Sequence, residues 1–163
     1  MKSIKLTLTL DNDVQRALEA EARAKGLSDK DLMRDLLTTH AMSYGYMPEE
    51  RRNWLEMYRG LANDVAEHAK RLCERDGFST DITARAVRAA QADEDWLNRY
   101  RKFIGSDDPF VKGNPDKTSL NQNIGYLVRI AVNGEVIKTP TGRPDTGTVA
   151  GLVIKSYSKL KKL

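Results

Sequence analysis

The side chains able to do chemistry are few and scattered along this chain. Residues 139–148 read Thr-Pro-Thr-Gly-Arg-Pro-Asp-Thr-Gly-Thr and follow Lys138. Threonine hydroxyls, backbone N–H groups and the Arg143 guanidinium can bind phosphate oxygens there; equally, the segment can be an ordinary connecting loop. It is not a Walker A loop, because the chain holds no Gly-x-x-x-x-Gly-Lys-Ser/Thr. Cys73 is the single cysteine, which forbids an intramolecular disulfide and makes the cytosol the default address. It falls on the apolar stripe of a predicted helix and reads as a small buried hydrophobe rather than a nucleophile. His40 and His68 are the only histidines, so a closed zinc site is not expected. No Ser-His-Asp set, paired-carboxylate motif or cofactor loop is visible, so neither an enzyme nor a cofactor-dependent protein is expected.

These residues belong to a chain of 163 residues, 40% hydrophobic and 31% charged. That suits one ordinary domain, or a small domain with an appendage. No run of eighteen apolar residues is present to span a membrane, and the alternating start MKSIKLTLTLDND does not read as a signal peptide. The formal charge is +4. Residues 1–44 hold seven basic and seven acidic side chains and residues 45–105 hold eleven of each, whereas residues 106–163 hold nine basic and five acidic. The excess therefore lies wholly in the last third, as an electrostatic footprint for nucleic acid or as a solvated face.

Residues 4–10 alternate strictly. Ile4, Leu6, Leu8 and Leu10 point one way and Lys5, Thr7 and Thr9 the other, the mark of a half-buried strand. Asp11 can cap a helix over 12–25, whose stripe is Val14, Ala17, Leu18 and Ala22 and whose end is Gly26. Ser28, with Asp31 three residues on, opens a second helix with Leu32, Met33, Leu36 and Leu37 on its apolar side, ending near His40–Ala41. A lone strand needs a partner. The simplest one is the same strand of a second copy, giving an antiparallel ribbon over a shared core of Leu6, Leu8 and Leu10.

This ordered set, KLTLTLDNDVQRALEAEARAKGLSDKDLMRDLL, resembles the ribbon-helix-helix family of the CopG, Arc and MetJ type over about a quarter of the chain. The resemblance implies an obligate dimer that lays its ribbon in the DNA major groove. The family's base-reading positions fall here on Lys5, Thr7 and Thr9, whose ammonium, hydroxyl and methyl groups suit base edges. Its phosphate clamp falls on Ser28, Asp29 and Lys30 at the start of the second helix. Asp29 and Asp31 would repel a phosphate there, and Lys30 offsets only part of this.

Beyond the ribbon unit, 1–44, a helical pair is expected over 45–105. Pro48-Glu49-Glu50 starts one helix, 48–75, carrying Trp54, Leu55, Tyr58, Leu61 and Val65. Gly77 ends it, and a second long helix, 82–104, carries Ile82, Trp96, Leu97, Tyr100 and Ile104 up to Gly105. Trp54 and Trp96 read as core. Residues 106–118 are turn-rich. Residues 119–132 fit a helix better than a hairpin strand paired with Glu135–Thr139, and a last helix is expected over 147–162 with Val149, Leu152, Val153, Tyr157 and Leu160. Residues 106–163 thus form a basic, helical segment packed on the pair. The fold class is mainly α, a ribbon-helix-helix unit followed by about four helices.

The leading functional expectation is a cytoplasmic, nucleoid-associated, sequence-specific DNA-binding protein. It would be a transcriptional repressor or a plasmid or phage DNA-processing accessory, with Lys138 and Arg143 adding phosphate contacts. Its partners would be double-stranded DNA, a second copy of the chain with room for higher oligomers on DNA, and a protein partner for residues 45–163, with no membrane involved. The alternative is a protein–protein assembly or antitoxin-type module that uses the ribbon mainly to dimerise.

Overall fold

The computed structural model describes residues 7–25 and 27–163. Its elements are mainly helical and fall into two units, residues 1–48 and 49–163. Lys5 and Leu6, expected on the ribbon, and Gly26, expected to end the first helix, lie outside the described residues.

In the first unit residues 7–11 carry no regular secondary structure in the single chain, and Asp11 has the extended backbone of an N-cap. Helix α1 runs Asn12–Ala24 and α2 runs Asp29–Ser43. Ser28 starts α2 as expected: its hydroxyl accepts from the Asp31 N–H at 3.2 Å and donates to Asp31 Oδ2 at 2.7 Å. One donor otherwise orphaned at the helix start is thereby satisfied. Only Ala22 and Leu32 are buried among the described residues of this unit.

The second unit has four helices: α3 Glu49–Asp76, α4 Ile82–Gln91, α5 Glu94–Ile104 and α6 Pro115–Ala131. Helix α3 starts directly after Pro48 and stops at Gly77, whose φ of +80° is left-handed and whose N–H donates to Cys73 O. The expected single helix over 82–104 is two helices. Asp93 breaks it, because its carboxylate accepts from the Asp95 and Trp96 N–H groups at 2.9 and 3.4 Å and so caps a fresh start. Glu94 and Asp95 in the next turn favour that start through the helix dipole. Asn114 plays the same part for α6, accepting from Lys117 N–H, and its amide also donates to Ile104 O at the end of α5. Two helix ends are tied by one side chain.

Helix α3 packs against the other three. Leu61 and Val65, Ile82 and Val87, Trp96 and Tyr100, and Leu120 and Ile124 meet in one core. Burying each large apolar side chain stabilises by about 1.5–3 kcal/mol. Trp96 is 1% exposed, and its indole N–H is satisfied by Leu61 O at 3.1 Å. Trp54 is only half-buried, against Tyr58 and Phe103.

The final helix expected over 147–162 is absent. Residues 134–162 form small antiparallel strands: β1 Gly134–Val136 pairs with β4 Leu160–Lys162, and β2 Thr146–Thr148 pairs with β3 Ser156–Ser158. Gly147 faces Tyr157 in that register, and the tyrosine ring lies where a Cβ at 147 would be, 2.5 Å from Cζ. Gly151, at φ +74°, reverses the chain between β2 and β3. The Gln91 side chain of α4 fixes that reversal, donating to Gly151 O at 2.9 Å and accepting from Val153 N–H at 3.0 Å. These backbone demands outweigh a helical spacing of apolar residues, and the buried run Leu152-Val153-Ile154 serves the core as an extended segment. The hairpin alternative for 119–139 resolves as helix α6 followed by β1, with Asn133 at φ +48° between them. The mate of β1 is β4, not residues 126–132. From Glu49 to Leu163 the chain forms one compact unit.

Candidate functional site

Three places carry polar or charged groups that sequence reasoning or geometry singles out. The first is the helical unit 1–48. Thr7 and Thr9 are exposed, as are Asp29 and Lys30. The Ser28 hydroxyl is engaged by Asp31, and Arg34 pairs with the same carboxylate at 3.0 Å. The start of α2 therefore offers backbone donors and Lys30, with Asp29 and Asp31 opposing an anion. The apolar side of this unit is open: Leu8 is 48% exposed and Leu37 55%, and Val14 and Leu36 are exposed too, while Leu10 is half-buried.

The second is the stretch 138–148. Its tip is a tight hairpin that satisfies its own donors. Thr139 N–H donates to Arg143 O at 2.7 Å and Gly142 N–H to Thr139 O at 2.9 Å, with Gly142 at φ +78°. The Thr139 and Thr141 hydroxyls meet at 2.9 Å. Lys138 and Arg143 remain exposed on either side. Two later cations are matched, Lys159 with Asp145 of this stretch and Lys161 with Glu135 across the β1–β4 pair, each at 3.0 Å.

The third was not visible in the sequence. A cleft of about 680 Å³ opens in the second unit between α6, the segment 110–114 and the strands. One face of α6 lines it from Lys117 to Arg129, joined by Lys112 and by Lys155 and Tyr157 from the β2–β3 hairpin. Four of its lining residues are cations, and no aspartate or glutamate lines it. Lys117 Nζ donates to Pro109 O at 2.7 Å. Burial holds that ammonium below the usual lysine value; Asp108 nearby pulls the other way, and the like charge of Lys155 adds to the fall. Asn121 reaches from Tyr100 Oη, which donates to it at 3.0 Å, to Val153 O at 3.3 Å, and so fixes the floor. Gly125 sits on the lining face, and a Cβ there would meet open space. These residues come from segments far apart in sequence, so only the register of α6, with Lys117, Asn121, Gly125 and Arg129 four residues apart, hinted at a shared face.

Cys73 and His68 fit no catalytic pairing. Burial pushes the Cys73 thiol up, away from thiolate. Burial, with Arg71 beside it, lowers His68, while Asp64 and Asp93 oppose the fall. Among the described residues no group of three His, Cys, Asp or Glu is placed to hold a metal, and no helix is long and apolar enough to cross a membrane. No family model, curated protein or solved structure matches the chain.

Proposed function

We propose that the protein is a sequence-specific DNA-binding dimer that reads the major groove with a ribbon formed by residues 4–10 of two copies. The observation that carries this reading is the open apolar side of the first unit. Leu8, ahead of the helices, and Val14, Leu36 and Leu37 on them are exposed, and only Ala22 and Leu32 are buried among the described residues of this unit. Such a surface needs a cover, and in the ribbon-helix-helix arrangement a second copy supplies it while the opposite strand face, Lys5, Thr7 and Thr9, turns to the bases. The exposed Lys138 and Arg143 add phosphate contacts without sequence preference.

The test starts from selection of bound fragments out of random or genomic DNA with the full chain. Thr7→Ala should weaken the selected site by about 1–3 kcal/mol and random duplex hardly at all. Replacing Lys138 and Arg143 by Gln should lower the salt slope by about 0.9 for each phosphate no longer neutralised. A dimer that enriches no sequence and binds duplex no better than it binds other polyanions points instead to the assembly reading. That reading is favoured by Asp29 and Asp31 at the start of α2.

A further inference from the structure

The cleft of the second unit plays no part in that DNA-binding reading, and its chemistry is specific enough to state what it takes. We propose that it is a binding site for an organic phosphate of nucleotide size. Its volume, about 680 Å³, lies within the range of small-molecule pockets. Its charge is of one sign: Lys112, Lys117, Arg129 and Lys155 line it and no carboxylate does. Clefts lined by one sign of charge concentrate the opposite ion. Asp108 acts on Lys117 from nearby without lining the cleft.

The cations are also distributed. Lys117 and Lys155 are close enough to feel one another's charge, and a doubly charged phosphate between them relieves that repulsion. Lysine suits this as a compact point charge with rotatable donors. Arg129 stands twelve residues along α6, about 18 Å at the helical rise, with its guanidinium 5.3 Å over the Tyr126 ring. The lining also offers apolar and aromatic side chains, Val136, Tyr157 and Leu160 among them, beside hydroxyls and amides such as Thr118 and Gln122. One end holds a multiply charged group and the rest accepts a flat or apolar body. Gly125 lines the cleft and a Cβ there would meet nothing within 4 Å, so a large side chain at this position takes its room from the cleft. Asn114 and Lys117 at the start of α6 line the cleft, but the proposal does not rest on the helix terminus, because Asn114 already accepts from Lys117 N–H and Asp116 stands in the first turn.

The experiment titrates the full chain with ATP, pyrophosphate and adenosine by calorimetry in magnesium-free buffer. ATP should saturate at one per chain, pyrophosphate should compete with it, and adenosine should bind at least tenfold more weakly. Gly125→Met should weaken ATP tenfold or more with the thermal transition no lower than that of the parent chain, since a Cβ there meets no neighbour and Met favours the helix over Gly. The Lys117→Gln, Lys155→Gln double variant should do the same. Because Lys117 also holds Pro109 O, loss of fold in that variant leaves the Gly125→Met result to decide. Lys138→Gln with Arg143→Gln, outside the cleft, should leave ATP binding as it was. The proposal is overturned if ATP does not bind, if Gly125→Met binds it as tightly as the parent chain, or if adenosine binds as well as ATP. It is equally overturned if a ten-nucleotide single strand binds more tightly than ATP and is expelled by Gly125→Met, which would make the cleft part of a nucleic-acid track.

Discussion

The two units of the chain solve the problem of burial differently. Residues 49–163 close a core of their own, from Leu61 in α3 to Leu160 in β4. Residues 7–48 bury Ala22 and Leu32 and leave Leu8, Val14, Leu36, Leu37, Tyr44 and Tyr46 exposed; only Phe110 and Leu163 are large exposed hydrophobics elsewhere among the described residues. A two-helix unit is too small to enclose its own apolar side chains. The contrast teaches that the second unit holds its apolar side chains within its own core, whereas the first leaves them open; if a second copy covers them, as proposed, the stability of that unit rises with concentration.

The strongest way to break this comparison is Trp96→Ala. It empties a fully enclosed site and deletes a satisfied indole bond, so it should cost about 3–5 kcal/mol, read as a shift of the main unfolding transition. Dimerisation by the first unit should survive it; loss of both together means the units are not independent. Next in size is Leu37→Ala. On a side chain 55% exposed in the single chain it should be nearly neutral, but across a dimer it removes about 1.5–3 kcal/mol of burial per protomer. Sedimentation over a concentration series separates the two, and an unchanged association constant leaves the first unit without a second copy. Ser28→Ala is smaller, about 0.5–2 kcal/mol, because α2 loses its cap. Helix circular dichroism during melting should show it only in the first unit's transition.

The smallest effect sharpens the second unit at its acid limit. Arg75 and Arg85 hold the Asp76 carboxyl down at about 2, below the ordinary carboxylate value, and Arg85 ties the end of α3 to α4 through it. A carboxylate depressed in the folded state contributes stability that is full above about pH 4 and is lost as pH falls toward 2. Asp76→Asn should therefore lower stability at neutral pH, where the ionised carboxylate contributes fully, and converge with the parent chain as pH falls toward 2, so that the acid limb of the stability profile flattens. An identical acid limb in the variant removes Asp76 from the account.

Much of the helical architecture was legible because its signals are local. Pro48 before α3, Ser28 before α2, and the glycines at 77 and 105 act within a turn of where they stand in sequence. The break at Asp93 was legible in principle too: Ala-Asp-Glu-Asp is a cap followed by an acidic first turn, masked by the long apolar stripe on either side. The C-terminal strands were not legible. Val149, Leu152, Val153, Tyr157 and Leu160 fit a helical period, and what defeats it is distant: the Gln91 amide holding 151–153 and the Tyr157 ring occupying the place of a side chain at 147. The cleft fails to show in sequence for the same reason, since its cations become neighbours only after α6 and the strands have packed. The ribbon expectation rests on residues 4–10, of which Thr7 to Leu10 are described and stand unpaired in the single chain.

That Gln91 clamp bears on the order of events as the chain folds. Besides Val149 N–H to Lys155 O across its neck, the reversal at Gly151 is held by groups on α4 and, through Asn121, on α6. Leu160 N–H likewise finds Thr80 O rather than a neighbour in sequence. Such closures cost loop entropy before they return any stabilisation. The helices of the second unit should therefore gain hydrogen-exchange protection first and the amides of 134–162 last, and the unit should fold more slowly than a simple bundle of the same helix content.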